Sequence, residues 1–221
     1  MLNLNELSLC NTMIYLILTT TIHNRFGIIN DAKRKERYLF AIKSTLSLLP
    51  TCITPIIVEN NGKRETYLDH FVHDGKPVRV VYTNNNEIRF HSKATNEMAD
   101  IKDVIRICGI QGNDMIIKLT GRYRMMSSDF FTDVIEHEKI EAFVKFYNVF
   151  TLKYKYDDCV LGCFAMRALH LQMYPHLLRD VQPSSEIAFA MYVRRCGATL
   201  KEIEHLGIEC EIADSHQLII C

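Results

Sequence analysis

The chain has 221 residues, 48% of them hydrophobic and 24% charged, with 26 Lys+Arg against 26 Asp+Glu. That length suits one sizeable core, and the charge balance excludes a global field that would draw nucleic acid or an anionic membrane surface. Eight cysteines, at positions 10, 52, 108, 159, 163, 196, 210 and 221, form no CxxC pair, which fits reduced thiols in a cytoplasmic protein better than a disulfide framework.

Residues 1–12 carry little periodicity and read as a loose leader, without the pattern of a cleavable signal. The expected domain is a single one over 13–221. Residues 13–20 form a continuous apolar, β-branched run, far too short for a membrane span and of the right length for a strand inside a parallel sheet. From Asn30 the pattern turns helical: Tyr38, Ile42, Thr45, Leu46 and Leu49 share a face, the cluster 33–37 reads as solvated, and Pro50 follows the end. The alternation continues with a strand at 55–59, a short helix at 64–71, a strand at 78–82, a helix at 96–108 and a strand at 115–119. Such βαβ alternation predicts an α/β fold with a mostly parallel, doubly wound sheet. Further on come a strand at 142–146, a strand or turn near 151–156, and helices around 164–173 and 186–195. No Gly/Ser or Pro-rich linker separates this less regular part from the first.

In open α/β sheets ligands bind beyond the carboxyl ends of the strands, and those ends are polar here. The first strand runs into Thr19, Thr20, Thr21, Ile22, His23, Asn24 and Arg25. The second ends in Glu59, Asn60 and Asn61, the third in Asn84, Asn85 and Asn86, and the central one in Lys118, Thr120, Gly121 and Arg122. Any one of these loops is explained by chain reversal, since Asn, Gly and Thr favour turns. Together they offer the amides, hydroxyls and guanidinium that a base, a ribose and a diphosphate require. The candidate contacts are Thr19, Thr20, Thr21, Arg25, Glu59, Asn60, Asn61, Asn86, Lys118, Thr120 and Arg122. Neither GxGxxG nor GxxxxGK[ST] occurs, which argues against a dinucleotide fold and a P-loop.

The segments TTTIHNR, IVENNGK, DMIIKLTGRY and SSEIAFAMYV resemble nucleotide-diphospho-sugar transferases, above all uncharacterised ones of large DNA viruses and some bacteria, over residues 13–213. The resemblance implies a GT-A fold with a nucleotide-sugar-binding half over 13–123 and an acceptor and catalytic half over 124–221. It implies a UDP-sugar as donor, a glycan or protein as acceptor and, for a viral member, the host cytoplasm as location. The family usually ends its central strand in Asp-x-Asp, which holds a divalent metal, manganese or magnesium, on the diphosphate. This chain has Lys118, Thr120 and Arg122 there, which could neutralise the diphosphate directly and leave metal dependence open. The alternative for the two cations is a salt bridge to an acid such as Asp114.

Asp157 and Asp158 are the one adjacent acidic pair, suited to a metal, to orienting an acceptor hydroxyl, or to capping a following helix. The resemblance favours a functional Asp158. Glu186 follows Pro183-Ser184-Ser185; it either complements a helix dipole or, as the resemblance implies for an inverting enzyme, is the base that deprotonates the acceptor. His205 stands where many GT-A enzymes supply a late His to the metal or diphosphate, though a lone His also reads as an ordinary loop residue. Cys159 and Cys163, with His170 beyond, have poor spacing for zinc and read as buried thiols. Two rivals stand: a catalytically silent nucleotide-sugar-binding module, and a sugar nucleotidyltransferase, whose usual glycine-rich loop TTTIHNR lacks.

Overall fold

The structure, a computed structural model, describes residues 12–23, 31–64, 66–87, 93–175, 184–211 and 218–221. In chain order the elements are β1 (Ile14–Thr20), α1 (Asp31–Leu48), β2 (Ile53–Glu59), β3 (Val72–His73), β4 (Lys76–Pro77), β5 (Arg79–Tyr82), α2 (Lys93–Cys108) and β6 (Met115–Thr120). They continue with β7 (Arg124–Met125), α3 (Asp129–Glu136), β8 (Ala142–Val144), β9 (Cys163–Arg167), α4 (Ala168–Met173), α5 (Ser185–Val193), β10 (Leu200–Glu202), β11 (Ile208–Glu211) and β12 (Leu218–Ile220). Seven strands form one sheet in the order β10-β8-β9-β6-β1-β2-β5. All its pairings are parallel except those of β9, which runs antiparallel to β6 and to β8.

The period-2 alternation of a strand explains how this sheet is covered on both faces. On one face Leu16, Leu18 and Ile57 pack with Tyr38, Ile42 and Leu46 of α1 and with Phe130, Phe131 and Val134 of α3. On the other, Ile17, Val58 and Ile116 pack with Ile101, Val104 and Ile105 of α2 and Phe189 and Val193 of α5. Lys118 and Thr120 lie on this second face in step with Ile116, so the central strand aims a lysine and a threonine at α2. Pro55 is tolerated inside β2 because β5 pairs only from Ile56 onward, leaving the proline with a neighbour on one side.

The sheet, the helix after Asn30 and its buried face agree with the sequence reading. Three expectations are corrected. The helix expected at 64–71 is a single 3-10 turn at Thr66–Leu68, followed by the hairpin β3–β4. Asp74 and Gly75 both have positive φ, 49° and 70°, the signature of a tight hairpin turn. The helix expected around 164–173 begins as β9, whose residues Cys163, Phe164, Ala165 and Met166 are buried between β6 and β8. A strand enclosed on both sides carries no alternation and mimics a short buried helix. The cluster 33–37 is not uniformly solvated: Arg34 is 2% exposed, and Arg37 pairs with Glu209 at 2.9 Å and Glu211 at 3.0 Å on β11.

Near 151–156 the chain forms turns, with an isolated bridge between Asn148 and Lys153. A second sheet, β12-β11-β7, and helix α3 complete the described fold. Gly162 lies against Tyr123 so closely that any side chain would overlap the ring. Of the leader expected at 1–12, residues 1–11 lie outside the described residues. Among the described residues, no helix is long and apolar enough to cross a membrane.

Candidate functional site

The carboxyl ends of β1, β2, β5 and β6 meet along one edge, and their side chains form two acid-centred hydrogen-bond webs. The first surrounds Glu59, fully buried at the end of β2. Its carboxylate accepts from Ile22 N at 3.1 Å, Tyr67 Oη at 3.2 Å and Asn61 Nδ2, and lies 2.8 Å from the Thr20 hydroxyl. Asn61 Oδ1 in turn accepts from Asn86 Nδ2 at 3.2 Å, which also reaches His23 O at 2.8 Å. The loops after β1, β2 and β5 are thereby locked to one another.

The second web surrounds Asp100 of α2, which is also fully buried. It accepts from Thr83 Oγ1 at 2.5 Å, Asn85 Nδ2 at 2.8 Å and Asn60 Nδ2 at 2.9 Å. Burial raises its pKa from the usual carboxylate range to about 7, against the lowering by these three donors. An unfolded Asp titrates near 4. Between those values the folded chain keeps a proton that the unfolded chain has lost, so this contribution to stability is full below about pH 4 and fades as pH rises through about 7. The Asp100→Asn chain should therefore lose less stability than wild type between pH 5 and pH 8, as read by urea denaturation.

At the end of β6, Lys118 is 1% exposed and its ammonium is enclosed. It pairs with Glu97 of α2 and donates to Thr120 Oγ1 at 2.6 Å and Leu161 O at 3.0 Å, while Thr120 donates to Glu97 at 3.0 Å. Burial raises the Glu97 pKa, but Lys118, Arg122 and Thr120 more than offset it, so the carboxyl titrates below its ordinary value. The salt-bridge alternative holds for Lys118, with Glu97 as the acid and not Asp114, which accepts from Met13 N and Gln111 N at 3.1 and 2.8 Å.

Residues 158–162 tie this end of β6 to the start of α5. Leu161 O meets Lys118, Gly162 O accepts from Thr120 N at 2.8 Å, and Cys159 Sγ lies 3.3 Å from Glu186 O. Ser184 caps α5, its hydroxyl accepting from Ile187 N at 3.4 Å. Glu186 is half-buried in the first turn, and among the described residues no ion pair holds its carboxylate. Asp158 caps no helix, since β9 follows it; it accepts from Asn148 Nδ2 at 2.6 Å and Cys159 N at 2.9 Å and so fixes the turn before β9. Asp157 is half exposed, 3.8 Å from Lys155. Beside this turn the rings of Tyr154 and Tyr156 stand exposed; the Arg194 guanidinium stacks 3.8 Å from the Tyr156 centroid and lies within 3.4 Å of Tyr154 Oη.

The structure thus gathers Thr19, Thr20, Thr21, Glu59, Asn60, Asn61, Asn86, Lys118, Thr120 and Arg122 on one edge. Most of them face each other: of the ten, only Thr21, Asn86 and Arg122 are half-buried, the rest buried. Arg25 lies outside the described residues. His205 is 85% exposed, with Glu204 at 3.9 Å. Cys159 and Cys163 are buried, and burial pushes the Cys163 thiol up to about 12, so neither is an activated nucleophile. The sequence reading missed Glu97, Asp100 and Arg34. A signal existed for the first two, which fall on the stripe of α2 that carries Ile101 and Val104, where an acid is out of place unless partnered.

Among the described residues, no group of three His, Cys, Asp or Glu is placed to hold a metal ion. Two cations stand at the strand end where the family's acids would hold one, and Glu97 is already bound to Lys118. These residues do not fit a divalent metal.

No protein-family model matches the chain, and no curated protein matches it in sequence. Solved structures match it in fold. The mannosyltransferase PcManGT from Pyrobaculum calidifontis, in complex with GDP-Man and Mn2+, superposes with a TM-score of 0.53 at 11% identity, over 86% of this chain and 54% of that one. This chain therefore spans about half the length of that enzyme. The galactosyltransferase LgtC, in complex with donor and acceptor sugar analogues, gives 0.54 at 9% identity, over 84% and 72%. A protein from Desulfovibrio desulfuricans described as a nucleotide-diphospho-sugar transferase gives 0.53 at 6% identity, over 87% and 80%. With its strand order and single antiparallel strand, the chain has the fold of the GT-A nucleotide-diphospho-sugar transferases.

Proposed function

We propose that the chain is a glycosyltransferase that moves a sugar from a nucleoside-diphosphate sugar, UDP-linked, to a hydroxyl of a glycan or protein acceptor. The observation that carries this reading is the gathering of the polar strand ends on one edge of a GT-A sheet, joined through residues 158–162 to a half-buried carboxylate at the start of α5. The webs around Glu59 and Asp100 fix the loops that frame the donor, leaving Thr21, Asn86 and Arg122 to touch it. The acceptor enters beside the 148–158 turn.

In this mechanism Glu186 takes the proton of the acceptor hydroxyl as its oxygen attacks the anomeric carbon. The bond from that carbon to the diphosphate oxygen breaks, and the diphosphate leaves with the electron pair. Arg122, the half-buried cation just beyond β6, stabilises the charge that develops on it.

A nucleoside-diphosphate sugar at a hundredfold excess over its dissociation constant should stabilise the fold by about 2.7 kcal/mol. A thermal-shift panel of UDP- and GDP-sugars, with NAD and ATP as comparators, checks this. Equal shifts from NAD, or none from any nucleotide-sugar, contradict the reading.

A further inference from the structure

Arg34, in the first turns of α1, is 2% exposed although it carries a full charge. Its Nε and Nη2 donate to Thr21 O at 3.0 and 2.8 Å, and Nη2 also donates to the Tyr38 hydroxyl at 2.7 Å. Its Nη1 is buried and has no hydrogen-bond partner. Arg122, one residue beyond the Gly121 turn, repeats the pattern: its guanidinium faces the same Tyr38 hydroxyl, and its Nε is buried without a partner.

Gly121 brings the two arginines to one phenol. Its N donates to Thr19 O at 2.8 Å, and a Cβ there would lie 2.8 Å from Thr19 O and 3.0 Å from the Tyr38 ring. The loop after β6 can press this closely onto the end of β1 and onto α1 only because the residue is glycine. The other charged groups facing the arginines are already engaged. Glu97 is bound to Lys118 and Thr120, and Arg37, which donates to Arg122 O, pairs with Glu209 and Glu211.

Two buried guanidinium N–H groups left unpaired beside one hydroxyl are costly without an anion to receive them. A diphosphate matches them in charge and offers oxygens to both guanidinium forks. We propose that Arg34 and Arg122, converging on Tyr38, bind the diphosphate of the donor and do so without a divalent metal. This rests on the donor reading and extends it. Lys118 stands behind the pair as a positioning residue that shares the Glu97 carboxylate with Arg122.

Calorimetric titration separates the two claims. Inorganic pyrophosphate, titrated in EDTA, tests the cation pair. UDP-glucose and GDP-mannose, titrated in EDTA and again with manganese, test the donor reading. Wild type should bind pyrophosphate in EDTA, and Arg122→Gln and Arg34→Lys should each weaken it about tenfold to a hundredfold, the scale of a lost charge-assisted hydrogen bond. Arg34→Lys retains charge and a donor to Thr21 O, so the variant remains informative if Arg34→Ala fails to fold; circular dichroism confirms the fold of each. Unchanged pyrophosphate affinity in folded Arg122→Gln and Arg34→Lys overturns the pair. Nucleotide-sugar binding that appears only with manganese overturns it too, while the donor reading survives. Pyrophosphate binding without binding of any nucleotide-sugar does the reverse, supporting the pair and removing the donor reading.

Discussion

Glu186→Gln should lower kcat by about 10² to 10⁴ while leaving donor affinity and melting temperature close to wild type. The amide keeps the shape of the carboxylate but cannot accept the acceptor's proton. The expectation rests on three features: Glu186 is half-buried in the first turn of α5, no ion pair among the described residues holds it, and its backbone meets Cys159 in the segment that also contacts Lys118. If the carboxylate served only the helix dipole, the same change would cost a few tenths of a kcal/mol of stability and leave turnover alone. Parallel rate and melting measurements separate the two outcomes. Asp157 and Asp158 are the next candidates, and of these Asp158 already has both oxygens occupied by Asn148 and the Cys159 amide.

The second large effect is on stability. Lys118→Met removes the cation from a buried pair and strands Glu97 of α2 against the sheet, which should cost about 3 kcal/mol in urea denaturation at neutral pH. That figure is at the low end for a broken buried pair because the Glu97 side chain keeps 19% of its exposure and can draw on water. With Lys118 gone the Glu97 carboxyl rises, so the deficit should shrink as the pH is lowered and the carboxyl protonates. Combining Lys118→Met with Glu97→Gln should recover most of the loss, because the amide still accepts from Thr120 and leaves no buried charge. A double variant no more stable than Lys118→Met alone would show that Lys118 stabilises the sheet through packing instead.

The sheet was legible in the sequence because β1, β2 and β6 are continuous apolar runs separated by helical patterns, and because Pro50 and the Asn-rich turns punctuate them. The reading failed where a local signal was outweighed or overlooked. β9 lacks alternation because both its faces are buried, so Cys163, Phe164, Ala165 and Met166 read as well for a helix as for a strand. The β3–β4 hairpin was announced by Asp74-Gly75, but the residues before it were read as helical.

The edge proposed to carry the site was legible as a polar one, since polar residues after consecutive parallel strands converge there. The partners within it were not. Nothing along the chain ties Lys118 to Glu97, 21 positions away, or Arg34 to Thr21, because both links follow from how α1 and α2 dock on the sheet. Arg34 was hidden in a basic run that reads as a solvated surface, and only the packing of α1 under the end of β1 buries it.

Release of nucleoside diphosphate from a nucleotide-sugar tests transferase function most directly, followed with a mixed glycan acceptor pool and, separately, with water as the acceptor. The account predicts release by wild type, faster with the acceptor pool, and near-complete loss of it in Glu186→Gln. A nucleotide-sugar that binds wild type yet is released intact under both conditions would contradict it and make the chain a binding module.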